Sequence, residues 1–86
     1  MDALESKRKM LDDITLMLVD LISLREEVAR EVGLIKKSKD IPITNLKREA
    51  EVLKKAKAYA KKRGVNPLLA ERIMRLLIED AKRFQR

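Results

Sequence analysis

From position 4 onward, the residues that set the helical face recur in alternating steps of four and three, the spacing of a helix seam turned toward a packed surface. Positions 4, 8, 11, 15, 18, 22, 25, 29, 32 and 36 read Leu4, Arg8, Leu11, Thr15, Leu18, Ile22, Arg25, Ala29, Val32 and Lys36. Met10, Ile14, Met17, Leu21, Leu24, Val28 and Ile35 widen that seam into a face. Asp2 followed by Glu5 resembles a capping box, so the first helix is expected to begin there and to run to about Lys37. Gly33 falls inside this run and could end the helix one turn early, but because the periodicity resumes at Ile35 it reads as a tolerated helical glycine, for which close approach of another element is one use.

The stretch from Ser38 to Ile43 reads as a loop, since Pro42 lacks a donor and restricts its predecessor. Thr44 or Asn45 then caps a second helix with Glu49, Val52, Leu53, Ala56 and Ala60 on one face. Lys61, Lys62 and Arg63 suit the negative end of its dipole, and Gly64 is a natural stop. Asn66 and Pro67 supply an N-cap and a first-turn proline for a third helix that runs to the end of the chain. Its inward face is expected to carry Ile73, Met74, Leu77, Ile78, Ala81 and Gln85. The predicted fold is therefore all-α, a single domain over residues 1–86.

Helix lengths bear on assembly. At about 1.5 Å per residue, the first helix spans roughly 50 Å and the other two about 25–30 Å each. Two short helices joined by short loops do not cover one long helix along its whole face. Either the long helix kinks or a second chain completes the core, and an intertwined homodimer is the expectation, since two-fold dimers are the commonest closed assembly.

Composition narrows the chemistry. The chain has 86 residues, 45% hydrophobic and only 2% aromatic, so its core must be aliphatic and small. Cysteine and histidine are both absent. That excludes thiolate chemistry, imidazole bases and Ser-His triads, and leaves Arg, Lys, Glu, Asp, Gln and backbone as the working groups. No signal-like apolar core follows Met1, and the run Leu16 to Val19 is broken by Asp20, far short of a membrane span. The expected location is the cytoplasm. A net charge of +7 favours anionic partners.

The seam itself holds the sharpest clue. Arg8, Arg25 and Lys36 stand where a helix should be apolar, and a charge turned inward is costly unless an opposite charge meets it. Arg25 and Lys36 return to nearly one azimuth about 16 Å apart, a distance that two long side chains can close around a small dianion. Arg8 lies about 25 Å from Arg25, too far to share a metabolite within one chain but within reach across an antiparallel dimer. The plain alternative is that each cation snorkels to solvent. Glu49 shares its stripe with Val52, Leu53 and Ala56, while its neighbour Arg48 reads by itself as a surface residue with an intrahelical partner. Glu5/Lys9, Glu26/Arg30, Glu51/Lys55, Glu71/Arg75 and Glu79/Arg83 are spaced as stabilising helical ion pairs on a solvated face.

Arg8, the block Leu24 to Gly33 with Lys36 following, Pro42-Ile43, Arg48-Glu49, and Ile78-Glu79-Asp80 leading to Gln85 together resemble the all-helical class of chorismate mutases over nearly the whole chain. The resemblance implies an intertwined dimer of three-helix chains with two active sites, each using one arginine from the partner. It implies the rearrangement of chorismate to prephenate in aromatic amino-acid biosynthesis, without base, nucleophile, metal or cofactor. By the same resemblance, Arg25 and the other chain's Arg8 would clamp the two substrate carboxylates. Lys36 and Gln85 would donate to the ether oxygen, Glu49 would accept from the substrate hydroxyl, and Arg48 would hold that end of the pocket. Asn45 stands where an aspartate is often found and Ala81 where a serine can reach a substrate carboxylate. Both departures bear on affinity rather than on an essential charge.

Three other readings are open at this level. Isochorismate pyruvate lyase is a related pericyclic enzyme with a similar site. A basic helical nucleic-acid-binding module is suggested by the charge and by the Lys54 to Arg63 cluster, but one Tyr and one Phe are poor provision for stacking bases. A purely structural dimerisation domain leaves the seam cations and Glu49 without a purpose. The expectation is a small-molecule enzyme that binds neither nucleic acid nor membrane.

Overall fold

A computed structural model describes residues 2–85. The first helix, α1, is continuous over Ala3–Ser38, and its length accounts for the 57 Å long axis of the molecule. Asp2 caps it by accepting from the backbone N–H of Glu5 at 2.7 Å. The Glu5 carboxylate does not close a capping box but turns to Arg8 at 3.3 Å. Helix α2 covers Leu46–Lys62 and helix α3 covers Pro67–Gln85.

The two turns use the same device. After α2, the N–H of Val65 reaches the carbonyl of Ala60 at 2.8 Å and the N–H of Gly64 reaches Lys61 at 3.2 Å. Gly64 supplies the left-handed residue this closure needs, with φ of 72°. After α1 the pattern repeats with Ile41 on Lys36 and Asp40 on Lys37. Here the left-handed residue is Asp40, with φ of 53°, which no glycine signal announces. Of the two cap candidates for α2, Asn45 is the one used, its side-chain oxygen accepting from the N–H of Arg48 at 3.0 Å. Asn66 likewise caps α3 by accepting from Leu68 at 3.0 Å.

Helix α3 is the bridge of the fold. It packs on both α1 and α2, which do not pack on one another. Along α2 it runs antiparallel, with Lys82 meeting Glu49 and Glu71 meeting Lys57 at the two ends. Against α1, Arg83 meets Glu26 and Gln85 reaches Ala29 and Gly33. Gly33 permits this approach. A Cβ there would lie 2.8 Å from Cγ and 3.1 Å from Cα of Gln85, so the glycine lets the end of α3 settle directly on the α1 backbone.

Packing within one chain is sparse. Among the described residues only Gly33, Ala60 and Ala81 are buried. The seam changes at Ile22: that residue, Arg25, Ala29 and Lys36 are half-buried and Val32 is 38% exposed, whereas Leu4, Leu11 and Leu18 are more exposed, along with Met10, Ile14 and Met17. The N-terminal half of α1 thus carries an apolar face that no other described residue of the chain covers. Of the ion pairs expected along the helices, Glu71–Arg75 forms at 2.9 Å. The others re-pair: Glu51 with Arg48, Glu79 with Lys82, and Glu26 across to Arg83 on α3. Ile73, expected on the inward face of α3, is exposed. Among the described residues no helix is long and apolar enough to cross a membrane.

Candidate active site

Three helix segments converge on one cavity of about 280 Å³: the C-terminal part of α1, the first two turns of α2 and the last two turns of α3. Its apolar walls include Val28, Val32, Val52 and Ile78, and its polar lining is Arg25, Lys36, Asn45, Arg48, Glu49, Lys82 and Gln85. Four of these are cations and one is an acid, so the cavity of a single chain carries an excess of three positive charges. A second recess of about 310 Å³ lies on the other side of Glu49, but it sets only Arg75 against Glu49 and Glu79. An anion belongs in the first.

Lys36 and Gln85 hold each other in place. The Lys36 ammonium donates to the carbonyl of Ile43 at 2.8 Å and to Oε1 of Gln85 at 3.2 Å. The Gln85 Nε2 donates to the carbonyl of Ala29 at 3.3 Å. These partners fix the amide orientation, because an ammonium must meet the oxygen and a carbonyl must meet the N–H. One N–H is left on each group. The result is a pair of pre-oriented donors, the arrangement that stabilises negative charge developing on an oxygen.

Glu49 faces the same cavity from α2 and is tied from behind. Its Oε2 lies 3.3 Å from the Lys82 ammonium, with the two side chains only 22% and 13% exposed. Lys82 is held in turn by Glu79 at 3.0 Å. The hydrogen bond that Lys82 donates to Glu79, opposed by desolvation and aided by Glu49, raises the Lys82 pKa above its ordinary value. Lys82 therefore stays charged through the physiological range.

Arg25 is half-buried and lines the cavity, and among the described residues no carboxylate lies within 4 Å of it. An arginine so placed is a vacant fork for a carboxylate. Arg48 lines the cavity while pairing loosely with Glu51 at 3.7 Å, so it combines the expected intrahelical partner with access to the site. Asn45 spends its side-chain oxygen on the α2 cap and has only its N–H groups to offer a ligand. Ala81 is buried against the cavity and adds no polar atom. Arg8 is the one expected site residue that the chain does not bring in: it is paired with Glu5 on exposed helix, its side chain 62% exposed.

Sequence reasoning missed Lys82. The signal was available, since position 82 follows Ile78 by four and precedes Gln85 by three, which places it on the same face of α3. Its charge disguised it as part of the solvated surface.

The chain matches the family described as chorismate mutase type II over residues 7–86. Among curated proteins, the chorismate mutase of Methanocaldococcus jannaschii is 30% identical over 79 residues, covering 92% of this chain and 80% of the relative.

Proposed function

This chain belongs to the type II chorismate mutase family, and from that premise we propose how its cavity carries the reaction. The protein is an isomerase that rearranges chorismate to prephenate in aromatic amino-acid biosynthesis. The ether C–O bond breaks as a new C–C bond forms within the same molecule, and no atom enters or leaves. Two requirements follow. The extended substrate must be held in the compact conformer in which the reacting carbons approach, and the ether oxygen must be stabilised as it gains negative charge.

In our reading Arg25 holds one substrate carboxylate by its planar fork. Lys36 and Gln85 each direct a remaining N–H at the ether oxygen. Glu49 accepts from the substrate hydroxyl, with Arg48 and the Asn45 amide bounding that end. Ala81 keeps the wall smooth at a place where no hydrogen bond is offered. The observation that supports this most directly is the interlocked Lys36–Gln85 pair beside Arg25, which no carboxylate meets among the described residues. A cavity near 280 Å³ lies at the small end of metabolite sites, which suits a ligand of this size.

The second substrate carboxylate needs a further cation, and we assign it to Arg8 of a second copy. The uncovered apolar face of α1, from Leu4 to Leu18, supports a homodimer in which the N-terminal half of one long helix reaches the other chain's cavity. A biosynthetic isomerase of this kind fits the cytoplasm. The test is to incubate the purified protein with chorismate and follow prephenate, with isochorismate as the control for a lyase. Then an inactive Arg8→Ala chain is exchanged with an inactive Arg25→Ala chain. One composite site in the heterodimer carries both arginines, so activity returns. Verified exchange without any recovery refutes the shared site.

A further inference from the structure

Lys82 lines the cavity with its side chain only 13% exposed and has no part in the scheme above. Its ammonium bridges two carboxylates on different helices, Glu49 at 3.3 Å and Glu79 at 3.0 Å. Among the described residues it is the only cation within 4 Å of the Glu49 carboxylate. Other cations stand close by: Arg25 and Lys36 from α1 and Arg48 from α2 line the same cavity, and Arg75 of α3 lies on the far side of Glu49. A glutamate side chain has several rotatable bonds, and an unrestrained carboxylate among these cations would turn to them. It would then occupy the groups that must be vacant for a dicarboxylate.

We propose that Lys82 is a positioning residue of the active site: it ties back one oxygen of Glu49, leaving the other for the substrate hydroxyl and keeping the carboxylate off the cavity's arginines. Glu79 anchors Lys82 from the solvent side, so the chain Glu79–Lys82–Glu49 runs from the surface to the site. Lys82 contributes through Glu49 and does not bind substrate itself. This inference rests on the role given to Glu49 above.

The test is a double-mutant comparison in the full-length protein, read as kcat and KM on chorismate. Lys82→Met should raise KM about tenfold, the scale of one charge-assisted contact, with a smaller change in kcat. Lys82→Arg should restore KM to within about threefold of wild type, because it keeps the cation at the same carboxylate. In a Glu49→Gln background, Lys82→Met should have little further effect. A structural role alone would lower the melting temperature equally in both backgrounds and leave KM unmoved, which overturns the proposal. So does a tenfold loss that persists in the Glu49→Gln background, since Lys82 would then be meeting substrate directly. If Glu49→Gln itself has wild-type kinetics, the reading of Glu49 falls and this inference falls with it. An impaired Glu49→Gln beside an unimpaired Lys82→Met sinks the role of Lys82 alone. Should Lys82→Met fail to fold, Lys82→Gln removes the charge while keeping a polar side chain and is read in the same way.

Discussion

Replacing Gln85 by glutamate tests the donor pair at its most demanding point. The Gln85 amide sits with Oε1 at 3.2 Å from the Lys36 ammonium and Nε2 at 3.3 Å from the Ala29 carbonyl. In Gln85→Glu the first contact becomes an ion pair, but the second sets a carboxylate oxygen against a carbonyl oxygen. The ionised side chain also has no N–H for the ether oxygen and faces it with negative charge. Losing one such donor costs about 2.7–4 kcal/mol, or roughly a hundred- to thousandfold in rate. A protonated carboxyl recovers a donor, so activity should follow the protonated fraction and climb about tenfold per pH unit on acidification until that carboxyl is titrated. The wild-type enzyme should be nearly flat from about pH 6 to 8, because the reference pKa values of Glu, Lys and Arg lie outside that window and histidine is absent. Initial rates of prephenate formation over about pH 5–8 at saturating chorismate decide the matter. A variant with a flat profile and normal turnover would falsify the assignment of Gln85 to the ether oxygen and remove the end of α3 from the chemistry.

Two further outcomes are expected. Ordinary carbon contact begins near 3.4 Å, so the Cβ of Gly33→Val, 3.1 Å from the Gln85 Cα, must push the backbones about 0.3 Å apart, and its extra methyls must move them further. Overpacking of this kind costs about 1–3 kcal/mol; kcat should fall at least about tenfold while helical circular dichroism is kept, and wild-type turnover would show that Gln85 is not held by this contact. Stability should also fall in acid. The Arg75 guanidinium holds the Glu71 carboxyl below its usual range, and Arg83 does the same for Asp80; a depressed folded-state pKa contributes stability above the unfolded value that is lost as pH falls through the folded one, so melting temperature should drop below about pH 4. An unchanged melt between pH 7 and pH 3 contradicts that account.

Much of this protein is local, and what is local can be read along the chain. The bounds of the three helices follow from Asp2, Asn45, Asn66-Pro67 and Gly64, because a cap satisfies backbone groups only a few residues away. The seam identifies Arg25 and Lys36, since a periodic face exposes any cation that interrupts it. Glu49 and Gln85 stand out on the same ground, and all four line one cavity. Where an element can close in more than one way, the chain is silent. Asp40 takes a left-handed conformation without a glycine to mark it, and Glu26 leaves its helical neighbour Arg30 for Arg83 on another helix. A surface ion pair is worth so little that packing decides its partners. Lys82 is the clearest case. Its spacing from Ile78 and Gln85 gives its face, but its partner is not written in the sequence: only the antiparallel packing of α3 on α2 sets it against Glu49. The close seat of Gln85 on Gly33 is decided in the same way, because the distance between two helices depends on every side chain between them and not on the period of either one.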